Sequence, residues 1–227
     1  MTTTHPPPAA AERPPAVRAR QVFITAPALL GALTTVALLF IRPWGERNQL
    51  SYEAIAPIRD AAWTGILIDS LATIAVGIGL SLVVCHLAPA KGATWAHIGA
   101  VLATAGSVVF GLGAFSFAGV LWHITDTDLV SPTAGETIVE HILAHPQHTI
   151  LIQTAGFLAF TAGILLLCVA LLRARTIARW LPLAVLVLTI AIFAAPAGVV
   201  DYVQAAQTLG LAAIGTSYLW SVTRIRE

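Results

Sequence analysis

The stretch GETIVEHILAHPQHTI, Gly135 to Ile150, places His141, His145 and His148 at i, i+4 and i+7, just ahead of a long apolar run. On an unbroken helix three imidazoles at that spacing share one face and come within reach of a single cation. Neutral imidazole is a good ligand for zinc, copper or iron, and Asp126, Asp128, Glu136 and Glu140 offer oxygen ligands or groups that orient the rings. Together they describe a candidate site for a divalent transition metal such as zinc. Pro146 divides the set: if the helix breaks there, His145 sits near the N-cap of the next helix and only His145 and His148 stay reliably close. The plainer reading is that these are polar residues at the wet end of a membrane helix, with no ligand. The preceding TAGE, Thr133 to Glu136, matches a capping box and predicts a helix running to about His145.

The second chemical candidate is Asp69, in GILIDSLAT. A helix starting near Asp60 carries Asp69 roughly 13 Å below the outer surface. A carboxylate at that depth costs on the order of 2.5 to 3.5 kcal/mol, so it must face the interior of a bundle and have a partner. Partners available in the same half are His123, His148, Gln153, Thr154 and Asp201, which together would make a polar pocket open to the outside. The competing reading is a hydrogen bond from Gln153, or from Ser or Thr, that only fixes packing. Asp201, with Gln204 three residues later, also reads as an N-cap for the last span. His123 and Asp126 are three apart at a helix end and can pair. His86 and His97 are haem ligands in principle, but their places at helix ends favour interfacial anchoring. No Walker loop, Gly-x-Ser-x-Gly elbow, Cys-x-x-Cys pair or His-Glu-x-x-His motif occurs.

The elements that must carry these groups are membrane helices. Of 227 residues, 57% are hydrophobic and only 10% charged, against about 25% charged in soluble domains. A bilayer core of about 30 Å takes roughly 20 apolar residues of helix. Six such runs occur, at 21–41, 61–87, 95–122, 148–172, 180–200 and 203–222. The expectation is an all-α integral membrane protein with six transmembrane helices in a domain over 21–223. A Pro- and Ala-rich tail over 1–20 and a short tail over 224–227 flank it, and the longer outer loops are 42–60 and 123–147. The first run is too long, and follows too polar a leader, for a cleaved signal peptide.

With the N-terminus in the cytoplasm, inner segments hold Arg13, Arg18, Arg20, Lys91, Arg173, Arg175, Arg179, Arg224 and Arg226, whereas outer segments hold only Arg42, Arg47 and Arg59. That asymmetry orients both termini to the cytoplasm of a cell (inner) membrane. Most acids fall outside, from Glu46 and Glu53 to Asp201. In the first outer loop a short surface helix is expected, with Trp44, Tyr52 and Trp63 at the headgroup level. Small residues at four-residue spacing, Gly99 and Ala103, Ala155 and Ala159, and Ala159 and Gly163, place the third and fourth spans at the packed centre. Cys85 and Cys168 read as small apolar packing residues rather than a disulfide. No basic cluster is large enough to indicate nucleic acid.

With its Pro-rich tail, Ala- and Leu-rich spans, Asp69 in the second span and HILAHPQH before the fourth, the chain resembles the small polytopic membrane proteins common in actinobacteria, a group that implies no activity. It is also similar in residue types to integral-membrane zinc hydrolases of the ceramidase and adiponectin-receptor type, which combine membrane-embedded Asp and Ser with several His. The order of residues departs from theirs, no His-x-x-x-His lies in a late span and six spans replace seven, so their sites are not carried over. Three functions remain open. The leading one is a non-enzymatic membrane protein whose outward pocket, around Asp69, His123, His145, His148 and Gln153, binds a small ligand, proton or metal, or docks a membrane partner or a second copy. The second is a zinc-dependent hydrolase with Asp69 as general base through bound water. The third is a small proton-coupled transporter.

Overall fold

The computed structural model describes residues 15–45, 51–148 and 150–224, and among them every regular element is a helix and no strand occurs. The charged residues Arg13, Glu46, Arg47 and Arg226 lie outside the described residues. The elements are α1 (Pro15–Ile41), α2 (Tyr52–Ile55) with a 3-10 turn at Ala56–Ile58, α3 (Arg59–Leu87), α4 (Ala93–Ile124), α5 (Pro132–Ala144) with a 3-10 turn at Pro146–His148, α6 (Leu151–Ala174), α7 (Trp180–Ala194) and α8 (Ala197–Arg224).

Four of these are long and apolar enough to cross a membrane: 19–41 within α1, the stretch from α2 through α3, α4, and α6. α7 is apolar but only 15 residues, about 22 Å by helix rise. α8 is long, 28 residues, but carries Asp201, Gln204, Gln207 and Thr208 in its first half. Those polar groups turn inward: Asp201, Gln207 and Thr208 are buried while Val199, Tyr202 and Leu209 are exposed. The same inversion holds elsewhere, with Phe23, Leu30 and Leu33 of α1 and Leu183, Val187 and Ile190 of α7 exposed. In water such an exterior would be costly; hydrocarbon is the solvent it fits.

The long helices close into a ring in the order α1, α3, α4, α6, α7, α8, with α8 back against α1. Each runs antiparallel to the one before, so α2, α5 and the α7–α8 turn share one end, here the cap end, and the 88–92 and 175–179 turns lie at the far end. The closest packing is between α4 and α6, the third and fourth expected spans. There Gly163 faces the backbone of Ala103, Gly106 that of Phe160 and Gly156 that of Phe110, so any side chain at these positions would collide with a neighbouring main chain. α3 and α4 are tied by Thr104 Oγ1 donating to Ser81 Oγ at 3.2 Å, while Ser81 donates to the Gly77 carbonyl at 2.6 Å. Bonds of this kind contribute about 0.6 kcal/mol each in a membrane. Cys168 is buried and Cys85 half-buried, both as free thiols.

Several boundaries correct the sequence reading. α1 begins at Pro15, inside the expected tail, since proline suits a helix's first turn. The fifth expected span ends at Ala194 rather than 200, because Ala195 is extended (φ −72°, ψ 134°) ahead of Pro196. The Pro196 carbonyl then accepts the amides of Val199 and Val200 at 2.9 and 3.0 Å, so Asp201 lies within α8 and does not cap it. α5 is capped by Ser131, whose hydroxyl accepts the Ala134 amide, with Pro132 at N1; Thr133 is already helical. His145 is the C-cap of α5, and α6 starts only after Ile150. Tyr52 is not at a headgroup surface: it is buried against Gly135 of α5.

Candidate functional site

A cavity of about 380 Å³ occupies the cap-end half of the ring. Its walls divide by composition. α8, α1 and α3 are adjacent in the ring and contribute Gln204, Gln207, Thr208, Thr35, Asp69 and Thr73. α4, α6 and α7 form the other side and contribute Phe110, Phe117, Phe157, Phe160 and Phe193, with Gln153, Thr161 and Thr189 as polar exceptions. Trp44 beyond α1, Ile66 and Val76 on α3, Ala114 on α4, Ile164 on α6, Ile192 on α7 and Leu211 on α8 line the rest of the wall.

Ten residues into α3, Asp69 stands about 15 Å along the helix from Arg59. The Thr35 hydroxyl donates to its Oδ1 at 3.1 Å. Across the space, Gln207 Nε2 donates to Thr189 Oγ1 at 2.9 Å, joining α8 to α7. The hydroxyls of Thr189 and Thr208 donate to their own helices, at the carbonyls of Val185 (2.7 Å) and Gln204 (2.8 Å). On the opposite wall the rings of Phe110, Phe157 and Phe193 follow one another, with centroids 5.8 and 5.9 Å apart, in the range of favourable tilted aromatic pairs. Phe193 is the outermost, 59% exposed on the outside of the bundle.

Of the sequence candidates, Asp69 and Gln153 line this cavity. Asp201 is next to it instead, paired with Arg42 (Nη2 to Oδ2, 3.0 Å), which ties the end of α1 to α8. Arg42 reaches it from a left-handed backbone, φ 50°. His123 stands exposed at the cap end of α4, its ring edge-on to Trp122 at 5.0 Å.

The candidate metal set is not assembled: among the described residues no group of three or more His, Cys, Asp or Glu is placed to hold a metal ion. His141 and His145 do approach, ring centroids 4.3 Å apart, but His145 Nδ1 is engaged with the His141 carbonyl at 3.0 Å. The chain turns at Pro146, which sends His148 into a separate 3-10 turn. Asp126 is committed to Arg59 at 3.1 Å and to the Asp128 amide at 3.1 Å. Those bonds, the Asp128 amide foremost and then the Arg59 guanidinium, hold the Asp126 carboxyl below its usual range.

Arg59 is the centre of a clasp rather than of a reaction site. It also donates to the Thr125 carbonyl at 3.3 Å and lies 5.1 Å from the Trp122 ring centroid, while Trp122 Nε1 donates to Asp60 at 2.7 Å. Beside it, Tyr52, Ile55, Leu121, Ile124, Val139 and Ile142 form a small separate core. This core seats α2 and α5 on the end of α4.

On α8 sequence reasoning picked Asp201 and missed the three polar residues that line the cavity. Gln204, Gln207 and Thr208 fall at i, i+3 and i+4, a polar stripe on an otherwise apolar helix, and that stripe was readable. The Thr35–Asp69 bond joins two spans and has no local signature. Comparison with known proteins finds no matching family model, no matching curated protein and no matching solved structure.

Proposed function

We propose that the chain is a six-span protein of the cell membrane, both termini cytoplasmic, that binds a small amphiphilic molecule in the cavity around Asp69. The observation that carries this reading is the cavity itself: a space of about 380 Å³, within the size range of small-molecule sites, to which all six long helices contribute and toward which polar side chains turn inside an apolar bundle. Intramembrane polar groups are costly and mark sites where something polar is handled. The Thr189 and Thr208 hydroxyl protons are held by their own helices, so neither hydroxyl is set up as a nucleophile.

The topology is supported by charge at the two ends. Arg20, Lys91, Arg173, Arg175 and Arg179 belong to the far end, Arg42 and Arg59 to the cap end, the distribution that places the far end in the cytoplasm. In a Cys85→Ala/Cys168→Ala background, Thr127→Cys should react with an impermeant maleimide on intact spheroplasts, and Lys91→Cys only after permeabilisation.

The binding reading is tested by organic extraction and mass spectrometry of purified protein. A compound present near one per chain in wild type and lost in the cavity-filling Ala114→Trp variant supports it. Identical extracts from both proteins would refute it.

A further inference from the structure

We infer that the molecule bound in the cavity is a lipid-soluble ring compound bearing carbonyl or hydroxyl groups, and that it enters sideways from the bilayer between α6 and α7. This deepens the binding reading above and rests on it. Three observations converge. First, the phenylalanines of the wall are all on α4, α6 and α7, where Gln153, Thr161 and Thr189 accompany them, whereas Thr35, Asp69, Gln204 and Gln207 face them from α1, α3 and α8. A guest that satisfies both sides has a flat apolar body stacked on the rings and hydrogen-bonding oxygens along its opposite edge.

The second observation is the aromatic path. Phe110, Phe157 and Phe193 follow one another along the cavity wall in steps of 5.8 and 5.9 Å, and the last of them, Phe193, both lines the cavity and is 59% exposed. Its neighbours on that face, Leu158 and Ile190, are exposed aliphatic residues, so the medium they meet is hydrocarbon. Third, α6 and α7 make the sparsest contact of any neighbouring pair in the ring, so this seam needs the least disruption to part. α4 and α6, by contrast, are locked main chain to main chain at Gly106 and Gly163.

Two measurements on the full chain in phosphatidylcholine–phosphatidylglycerol vesicles test this. A spin label at Thr161→Cys, in the Cys85→Ala/Cys168→Ala background, is relaxed either by oxygen, which concentrates in lipid, or by a water-soluble nickel chelate; Ala114→Cys serves if the first variant fails to fold. Lateral entry predicts an oxygen-to-nickel ratio within about twofold of a lipid-facing Leu158→Cys control. A ratio like that of a loop label at Thr127→Cys overturns lateral entry and leaves the binding reading standing. A label reached by neither agent overturns both.

The second measurement uses benzophenone dissolved in the vesicles, a ring ketone that couples to nearby C–H bonds on illumination. Adducts mapped by mass spectrometry should include Phe157, Phe160 or Ile192 and fall at least tenfold in Ala114→Trp. Adducts at the outer residues Leu158 and Ile190 should persist unchanged. Equal labelling of cavity residues in wild type and Ala114→Trp, or labelling confined to the outer face, overturns the ring-compound assignment.

Discussion

Replacing Gly163 by alanine tests the tightest joint in the molecule. A Cβ at this position would fall on the Ala103 amide nitrogen and stand 2.6 Å from the Ala103 Cα and 2.8 Å from its Cβ, where ordinary contact begins at 3.4 Å. The obstacle is main chain, which no rotamer change relieves, so α4 and α6 must part by close to 1 Å. A gap of that size forfeits a quarter to a half of the dispersion energy of the atoms lining it. The expected destabilisation is therefore about 2 to 3 kcal/mol, toward the upper end of the overpacking range. Gly119→Ala is the internal control: nothing lies within 4 Å of its added Cβ, and alanine's better helix propensity makes it neutral or stabilising by up to about 1 kcal/mol. Reversible unfolding in mixed micelles, titrated with sodium dodecyl sulfate, reads both. If Gly163→Ala matches or exceeds wild type while Gly119→Ala behaves as expected, α4 and α6 do not meet backbone to backbone and the ring as described fails.

Other outcomes follow from the polar contacts. Asp201→Asn should loosen α1 from α8 by about 1 kcal/mol, a modest loss because Arg42 is 40% exposed, and should raise hydrogen exchange at the α7–α8 turn; unchanged exchange there would contradict the tie. Asp126 titrates below the ordinary carboxylate range because its ionised form is held in the fold. Its contribution to docking α5 is thus full above an ordinary aspartate's pKa of about 3.9 and is lost as pH falls through the lower folded value. Exchange in α5 should accordingly stay slow down to about pH 4 and rise below it, and Arg59→Gln should move that rise to higher pH. Because His141, His145, His148 and Asp126 do not converge, His145→Ala/His148→Ala should leave zinc per chain unchanged by elemental mass spectrometry. A fall toward zero from near one would restore those residues as ligands.

The large-scale architecture was legible because the bilayer imposes a length rule that apolar runs either meet or do not. The ends of α3, α4 and α6 were found to within three residues, while α1 starts six residues ahead of its expected span, and the α4–α6 seam was legible from Gly99, Ala103 and Gly163. Ala155 was assigned to that seam wrongly: it is exposed, and Gly156 takes its place, since four-residue spacing alone does not fix which face of a uniformly apolar helix turns inward. The break at Ala195–Pro196 was misplaced for a related reason. Val199 and Val200 are apolar enough to extend α7, and the proline's backbone restriction decided the matter. Asp69 and Gln153 were recognised because polarity inside a membrane run stands out. His123 and Asp201 had the same chemistry but lay near helix ends, where the choice between cavity, surface and ion pair rests on tertiary contacts with Trp122 and Arg42.

The shortness of α7 has a consequence for the lipids around the protein. If α7 is one of six spans, as proposed, its 15 residues cover about 22 Å of a hydrocarbon layer roughly 30 Å thick, and membranes answer such a mismatch by thinning locally, at fractions of a kcal/mol per ångström. The annulus beside α7 is then the thinnest ring of lipid the molecule touches, with headgroups drawn down toward Ala194 and the adjacent turn. Acyl-chain length becomes a control on the protein: short-chain bilayers relieve the compression beside α7, whereas long-chain or sterol-stiffened ones increase it and favour tilting of that one helix against its neighbours.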